Sequence, residues 1–147
     1  MKIYAGGIMD IDLAKKTLID KNLKLCVVKD GKVIFESKKN GIVPMYELYK
    51  ANIRGDLSLA DRFIGGGALR FILNIGCSSV FSFVMSKDVI DTLEKENLNF
   101  EYKKKVDKIL NRTGDDLCPV EKLSKENFEF IDFFNKLEKF LIDTHQI

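Results

Sequence analysis

Three short stretches of this sequence bring together residue types that could do chemistry. Cys118 directly precedes Pro119, and proline suits the first position of a helix, so Cys118 is expected to cap a short one. A thiol at a helix start has its thiolate favoured by free N–H groups and the helix dipole, the setting of a nucleophile or redox thiol. Arg112 would add positive charge there, while Asp115, Asp116 and Glu121 would oppose it. The alternative is a structural cysteine in a well-made turn. Next, Gly65-Gly66-Gly67 bares the backbone, either to let N–H groups meet a ligand or to let two elements pack closely. Last, Asp61 and Arg62 follow Ser58. Asp61 either completes a capping box with Ser58 or points into a pocket where its carboxylate would bind an amine or hydroxyl. Arg54, Arg62, Arg70 and Arg112 could supply a phosphate fork.

Several familiar chemistries lack their parts. There is one histidine, His145, and there is no Cys-x-x-Cys and no His-x-Glu. A zinc site and a Ser-His-Asp or Cys-His apparatus are therefore not expected, and no metal or cofactor is assigned. After the glycines comes Ala68-Leu69-Arg70 rather than Gly-Lys-Ser/Thr, so the Walker pattern fails. The dinucleotide fingerprint fails too, because the glycines are contiguous and no strand is read before them. With 24 basic and 22 acidic residues the net charge of +2 is too small to argue for a nucleic-acid partner, and none is expected; Lys103-Lys104-Lys105 is read as a solvated face. No apolar run reaches the ~18 residues of a membrane span, and the first residues lack the basic-then-apolar order of a secretory signal. Three widely spaced cysteines suit a reducing, cytoplasmic setting, with Cys26 and Cys77 expected in the core.

The elements that would position these residues follow from periodicity and punctuation. Residues 8–22 form an amphipathic helix with Asp10 and Asp12 at its start. Leu25–Val28 and Val33–Phe35 flank Asp30-Gly31, a hairpin turn pair, and the consecutive apolar residues imply arms covered on both faces. Pro44 opens a helix over Met45–Asn52, and Gly55 follows as a stop. From Leu59 to Ile75 the apolar residues fit one long buried helix ended by Gly76. Val80–Met85 is a strand, Ser86 caps a helix over Lys87–Glu96, and Leu98, Phe100 and Tyr102 alternate as another strand. A final helix runs from about Ser124 to Thr144, with Phe130, Phe133, Phe134, Leu137 and Leu141 as its stripe. No repeat or linker divides the chain, so one domain over 1–147 is expected, its core at about 8–123 and its last helix at about 124–145.

Gly-Ile-x-Pro-x-Tyr-Glu-Leu-Tyr (41–49), Ala-Asp-Arg-x-x-Gly-Gly-Gly-Ala (60–68), Ser-Lys (86–87) and Asn-Arg-Thr-Gly-x-x-x-Cys-Pro-x-Glu (111–121) together resemble an uncharacterised bacterial domain-of-unknown-function family. That family has the cytidine-deaminase-like fold without its zinc-binding motifs. The resemblance implies a three-layer α-β-α sandwich, its mixed sheet starting with the antiparallel hairpin and continuing with parallel strands. The helix starts that carry zinc ligands in deaminases would fall at Asp61–Gly67 and Met85–Asp88, where the ligands are missing. Asp61, Gly66, Gly67, Thr113, Gly114 and Cys118 match the family's motifs. With Arg62 and Arg112 they make the expected ligand site, provided the glycine triplet and the Thr-Gly turn meet at one sheet margin. The leading expectation is a small-molecule-binding domain without zinc-dependent deamination, taking a nucleotide or related metabolite, with helix starts holding an anionic group. The alternatives are an enzyme using Cys118 and an interaction module that homodimerises through the last helix.

Overall fold

The computed structural model describes residues 9–147. The opening residues read above for the absence of a signal order lie outside the described residues. Among those described, five strands form one mixed sheet and six helices flank it. The strands are β1 (Leu25–Lys29), β2 (Lys32–Ser37), β3 (Leu57–Ile64), β4 (Cys77–Ser86) and β5 (Asn99–Val106). Their order across the sheet is β2-β1-β3-β4-β5. Strand β1 runs antiparallel to β2 and β3, whereas β3, β4 and β5 are mutually parallel. The helices are α1 (Asp10–Asp20), α2 (Val43–Lys50), α3 (Gly66–Ile75), α4 (Lys87–Lys95), α5 (Pro119–Glu126) and α6 (Phe130–Asp143).

The hairpin forms where Asp30-Gly31 predicts it. Both turn residues have positive φ, 50° and 77°, as a turn matching the strand twist requires. Asp10, buried at the start of α1, accepts the Gly31 N–H at 3.1 Å and ties that helix to the turn. The two faces of the sheet carry separate cores. On one, Ala14 and Leu18 of α1 meet Cys26, Val28, Ala60 and Phe81. On the other, residues of α2, α3, α4 and α6 cover Leu25, Val27, Leu59 and Val80. Phe71 anchors this larger core, fully buried, with ring centroids of Tyr49, Phe130, Phe133 and Phe134 at 5.8, 5.6, 6.0 and 6.3 Å. Burying such a side chain contributes roughly 1.5–3 kcal/mol. Cys26 and Cys77 are buried as expected, and desolvation pushes their thiols up to about 11 and about 12.

Three expectations need correction. The single helix over 59–75 is instead a strand, a one-residue turn and a helix: β3 ends at Ile64 and α3 begins at Gly66. Ser58 and Asp61 are therefore strand residues and form no capping box. Three glycines in a helix interior would have cost about 1 kcal/mol each relative to alanine, and that penalty marks the break. A strand covered on both faces carries a continuous apolar run, and this run merged with the apolar face of α3 into an apparent helical period. Second, the hairpin is covered on both faces only at β1. Val33 and Ile34 of β2 remain 36% and 38% exposed, because α1 packs mainly on β1 and β3 and only touches β2. Third, the final helix is two helices, broken at 127–129. There the Arg70 guanidinium takes the carbonyls of Ser124, Asn127 and Phe128, which a continuing helix would need as acceptors.

Candidate functional site

The glycine triplet sits where parallel strand β3 turns into α3, at the carboxyl ends of the strands. A helix start leaves N–H groups unpaired and aimed outward, a natural seat for an anion. Here the chain supplies that anion itself. The carboxylate of Glu121, in the first turn of α5, accepts the N–H of Gly66 at 2.9 Å and that of Gly67 at 3.4 Å. Glu121 is 9% exposed. A Cβ on Gly65 would stand 2.1 Å from Glu121 Oε1 and 2.8 Å from Ile109, and one on Gly67 would stand 2.4 Å from Val120. The bared backbone thus serves close approach of α5, as the packing alternative held.

The Thr-Gly turn prepares that approach. Leu110 and Leu117 pair across a small loop. Inside it the Asn111 side chain accepts the N–H groups of Gly114 and Asp115 at 2.9 and 3.3 Å. The Thr113 hydroxyl donates to Asp115 at 2.6 Å. That bond, followed by one from Asn111, holds the exposed Asp115 carboxyl below its usual range. Arg112, Thr113 and Gly114 are all exposed on this loop, and Thr113 spends its polar group within it. Cys118 caps α5 and Pro119 opens it, as the sequence predicts. The cysteine is half-buried; its backbone N–H donates to Ile109 and its carbonyl accepts from Lys122, both at 3.1 Å. Two stretches some fifty positions apart do meet, but through Glu121, with Thr113 and Gly114 on the outer loop.

The arginines are committed elsewhere. Arg62 donates to the carbonyls of Leu18 and Leu23 at 3.1 and 2.9 Å and lies over Phe83, closing the end of α1. Arg54 donates to Tyr49 and Ile53 at the end of α2, and Arg70 closes the end of α5. Three of the four residues considered for a phosphate fork thus satisfy helix C-terminal carbonyls, where positive charge is favoured.

Asp61 is treated differently. It lies in β3, between Leu25 of β1 and Ser82 of β4, and Ser82 in turn pairs with Tyr102 of β5. Asp61, Ser82 and Tyr102 form a polar row across three adjacent strands, each about 4.8 Å from the next. The row crosses the middle of the parallel strands, with Asp61 three residues before the end of β3 and Ser82 four before the end of β4. Asp61 is half-buried, and desolvation pushes its carboxyl up to about 7. The N–H groups of Arg62 and Phe63 and the nearby Arg62 charge pull the other way without prevailing. The Ser82 side chain is buried, its hydroxyl donating to the Val84 carbonyl at 2.6 Å. A carboxyl poised near neutrality can accept or donate a hydrogen bond, or pass a proton. Ser82 was not singled out from the sequence, although it is the polar interruption in the run Val80–Met85. Glu121 was weighed only as a charge opposing Cys118, since nothing local shows that it caps another helix. Among the described residues no cluster of three His, Cys, Asp or Glu side chains could hold a metal ion.

The mixed sheet and its two helical layers define an α/β domain. Residues 13–141 match the family described as a domain of unknown function, DUF1893, and the chain belongs to that family. Its fold is similar to that of a DUF1893 family protein (TM1506) from Thermotoga maritima, with a TM-score of 0.79 and 25% sequence identity over 95% of this chain and 96% of that one. No curated protein matches the chain. Among the described residues no helix is long and apolar enough to cross a membrane.

Proposed function

We propose that this chain is a small-molecule-binding domain of the deaminase-like arrangement that works without zinc, and that Asp61 is its polar contact. An edge hairpin followed by parallel strands, packed between helical layers, supports the arrangement. At the two helix starts where zinc deaminases carry their ligands, this chain has Gly65-Gly66-Gly67 and Ser86-Lys87-Asp88. Those residues supply neither the His-x-Glu nor the Cys-x-x-Cys donors and do not fit a zinc ion. The same reading takes the chain as one domain, since Phe133, Phe134, Leu137 and Leu141 of α6 share the larger core with β1, β3 and β4.

The observation that carries the reading is the Asp61 carboxyl, pushed up to about 7 by burial beside Ser82, three residues short of the carboxyl end of β3 beyond which open α/β folds bind ligands. An anionic group at the α3 start, as the sequence suggested, would have to displace Glu121. Asp61 instead favours a ligand that presents polar hydrogens, an amine or hydroxyl of a nucleoside or related metabolite. The test is a titration of nucleosides, nucleotides and free bases, followed by amide NMR on the wild type and Asp61→Asn. A binder that shifts residues 61, 82 and 102 and weakens roughly tenfold in the variant, about 1.4 kcal/mol, is expected. A blank panel, or a binder indifferent to Asp61, overturns the proposal.

A further inference from the structure

Among the described residues no strand pairs with the outer edge of β2, and that edge is built differently from the opposite edge of the sheet. Strand β5 carries Lys103, Lys104 and Lys105 in succession, all exposed, and charge of this kind discourages strand pairing. Strand β2 instead offers Val33, Ile34 and Phe35, with a bulge that leaves Ile34 without a partner on β1. Open hollows flank this strand. One, of about 540 Å³, lies beside α2 and is lined by Phe35, Glu36, Ser37, Lys38, Lys39 and Glu47. The other, of about 400 Å³, lies toward the end of α1 and is lined by Lys21, Val33, Ile34, Phe35 and Glu36. The two hollows share Phe35 and Glu36 and so run on from one another along the strand. Successive side chains of an added strand point to opposite faces, and these hollows give them room beside β2.

Charge identifies the occupant. Across residues 21–39 six lysines (21, 24, 29, 32, 38 and 39) stand against two acids, Asp30 and Glu36. Glu36 and the neighbouring Glu47 pair with Lys21 and Lys39, each at 2.8 Å, which leaves Lys24, Lys29, Lys32 and Lys38 outside those pairs. A second copy of this chain would bring two such basic edges together, and the bulge bends the strand away from flat sheet-to-sheet continuation. We infer that the β2 edge accepts an extended segment of another protein, apolar with interspersed acidic residues, as a sixth strand. This goes beyond the ligand site proposed above and does not depend on it. Main-chain hydrogen bonds would supply affinity, the hollows would select side chains, and the lysines would select charge.

Two blocked hexapeptides of alternating valine–glutamate and valine–lysine test this, titrated into the full chain and followed by backbone amide NMR. The acidic peptide is expected to shift amides 32–38, to bind roughly tenfold tighter than the basic one at low salt, and to weaken as salt rises. The double variant Lys32→Glu/Lys38→Glu leaves the buried residues untouched and should reverse the preference. No response at 32–38 with millimolar peptide, or equal binding of both peptides, overturns the inference. So does a mass that rises with protein concentration and falls back in Val33→Lys, since the occupant would then be a second copy.

Discussion

Glu121 and Asp61 are two carboxylates flanking the same strand-to-helix turn, and the fold treats them in opposite ways. Glu121 comes from a distant helix and is received by two N–H groups of the α3 start. Asp61 is built into the sheet beside a serine, and burial of its charge outweighs the N–H groups that reach it. The first is an anchor whose charge is complemented by the fold. The second is left under-complemented, which destabilises the fold as pH rises through about 7.

Four changes would break or sharpen this contrast. The largest effect is expected from Asp61→Asn. The folded-state pKa of about 7 lies above the ordinary 3.8, so the stabilising contribution is present below pH 4 and lost as pH rises through 7. Asparagine mimics the protonated form, and the variant should gain on the order of 2–4 kcal/mol over wild type at pH 8 and almost nothing at pH 3.5. Urea denaturation across that range decides it, and a constant difference at all pH values would contradict the contrast. Next, Glu121→Ala strands the N–H groups of Gly66 and Gly67 and should cost about 2–3 kcal/mol in the same assay. A loss below about 0.5 kcal/mol would mean that water replaces the carboxylate at no cost. Arg62→Ala removes two hydrogen bonds at the end of α1, at about 1–2 kcal/mol. It also withdraws a positive charge, so the Asp61 carboxyl should move further up in a ¹³C NMR titration, by less than the shift burial already imposes. Arg112→Ala on the exposed loop should fall within about 0.5 kcal/mol of wild type, and a large loss would give that loop a role it has not been assigned.

How much of this was legible beforehand depended on how local each cause was. The Asp-Gly turn, Pro44 near the start of α2, Cys118-Pro119 at the start of α5 and Gly76 with its φ of 87° closing α3 are set by a few adjacent residues, and all could be read. Strand β3 could not be, because strand and helix both accommodate a buried apolar run and the choice is made by pairing with β1 and β4. At the site, Asp61 was noticed for its type but placed on the wrong element. The occupant of the glycine cradle was missed because it arrives from 54 positions away. Arg62 and Arg70 read as parts of a ligand fork for the same reason, because the carbonyls they serve are brought to them only by the finished fold, whereas Arg54 serves carbonyls close by in the chain.

The reciprocal ties between α3 and α5 have a consequence for how the chain assembles. Glu121 needs the opened end of α3 as its seat, and the end of α5 needs Arg70 from that same helix. Both contacts need α3 to be formed, and the buried residues of α5, Glu121 and Ser124, are polar, with Val120 and Leu123 only partly buried against the larger core. Helix α5 is therefore expected to join last during folding and to detach first under denaturant, releasing the glycine turn to solvent while the sheet is still intact.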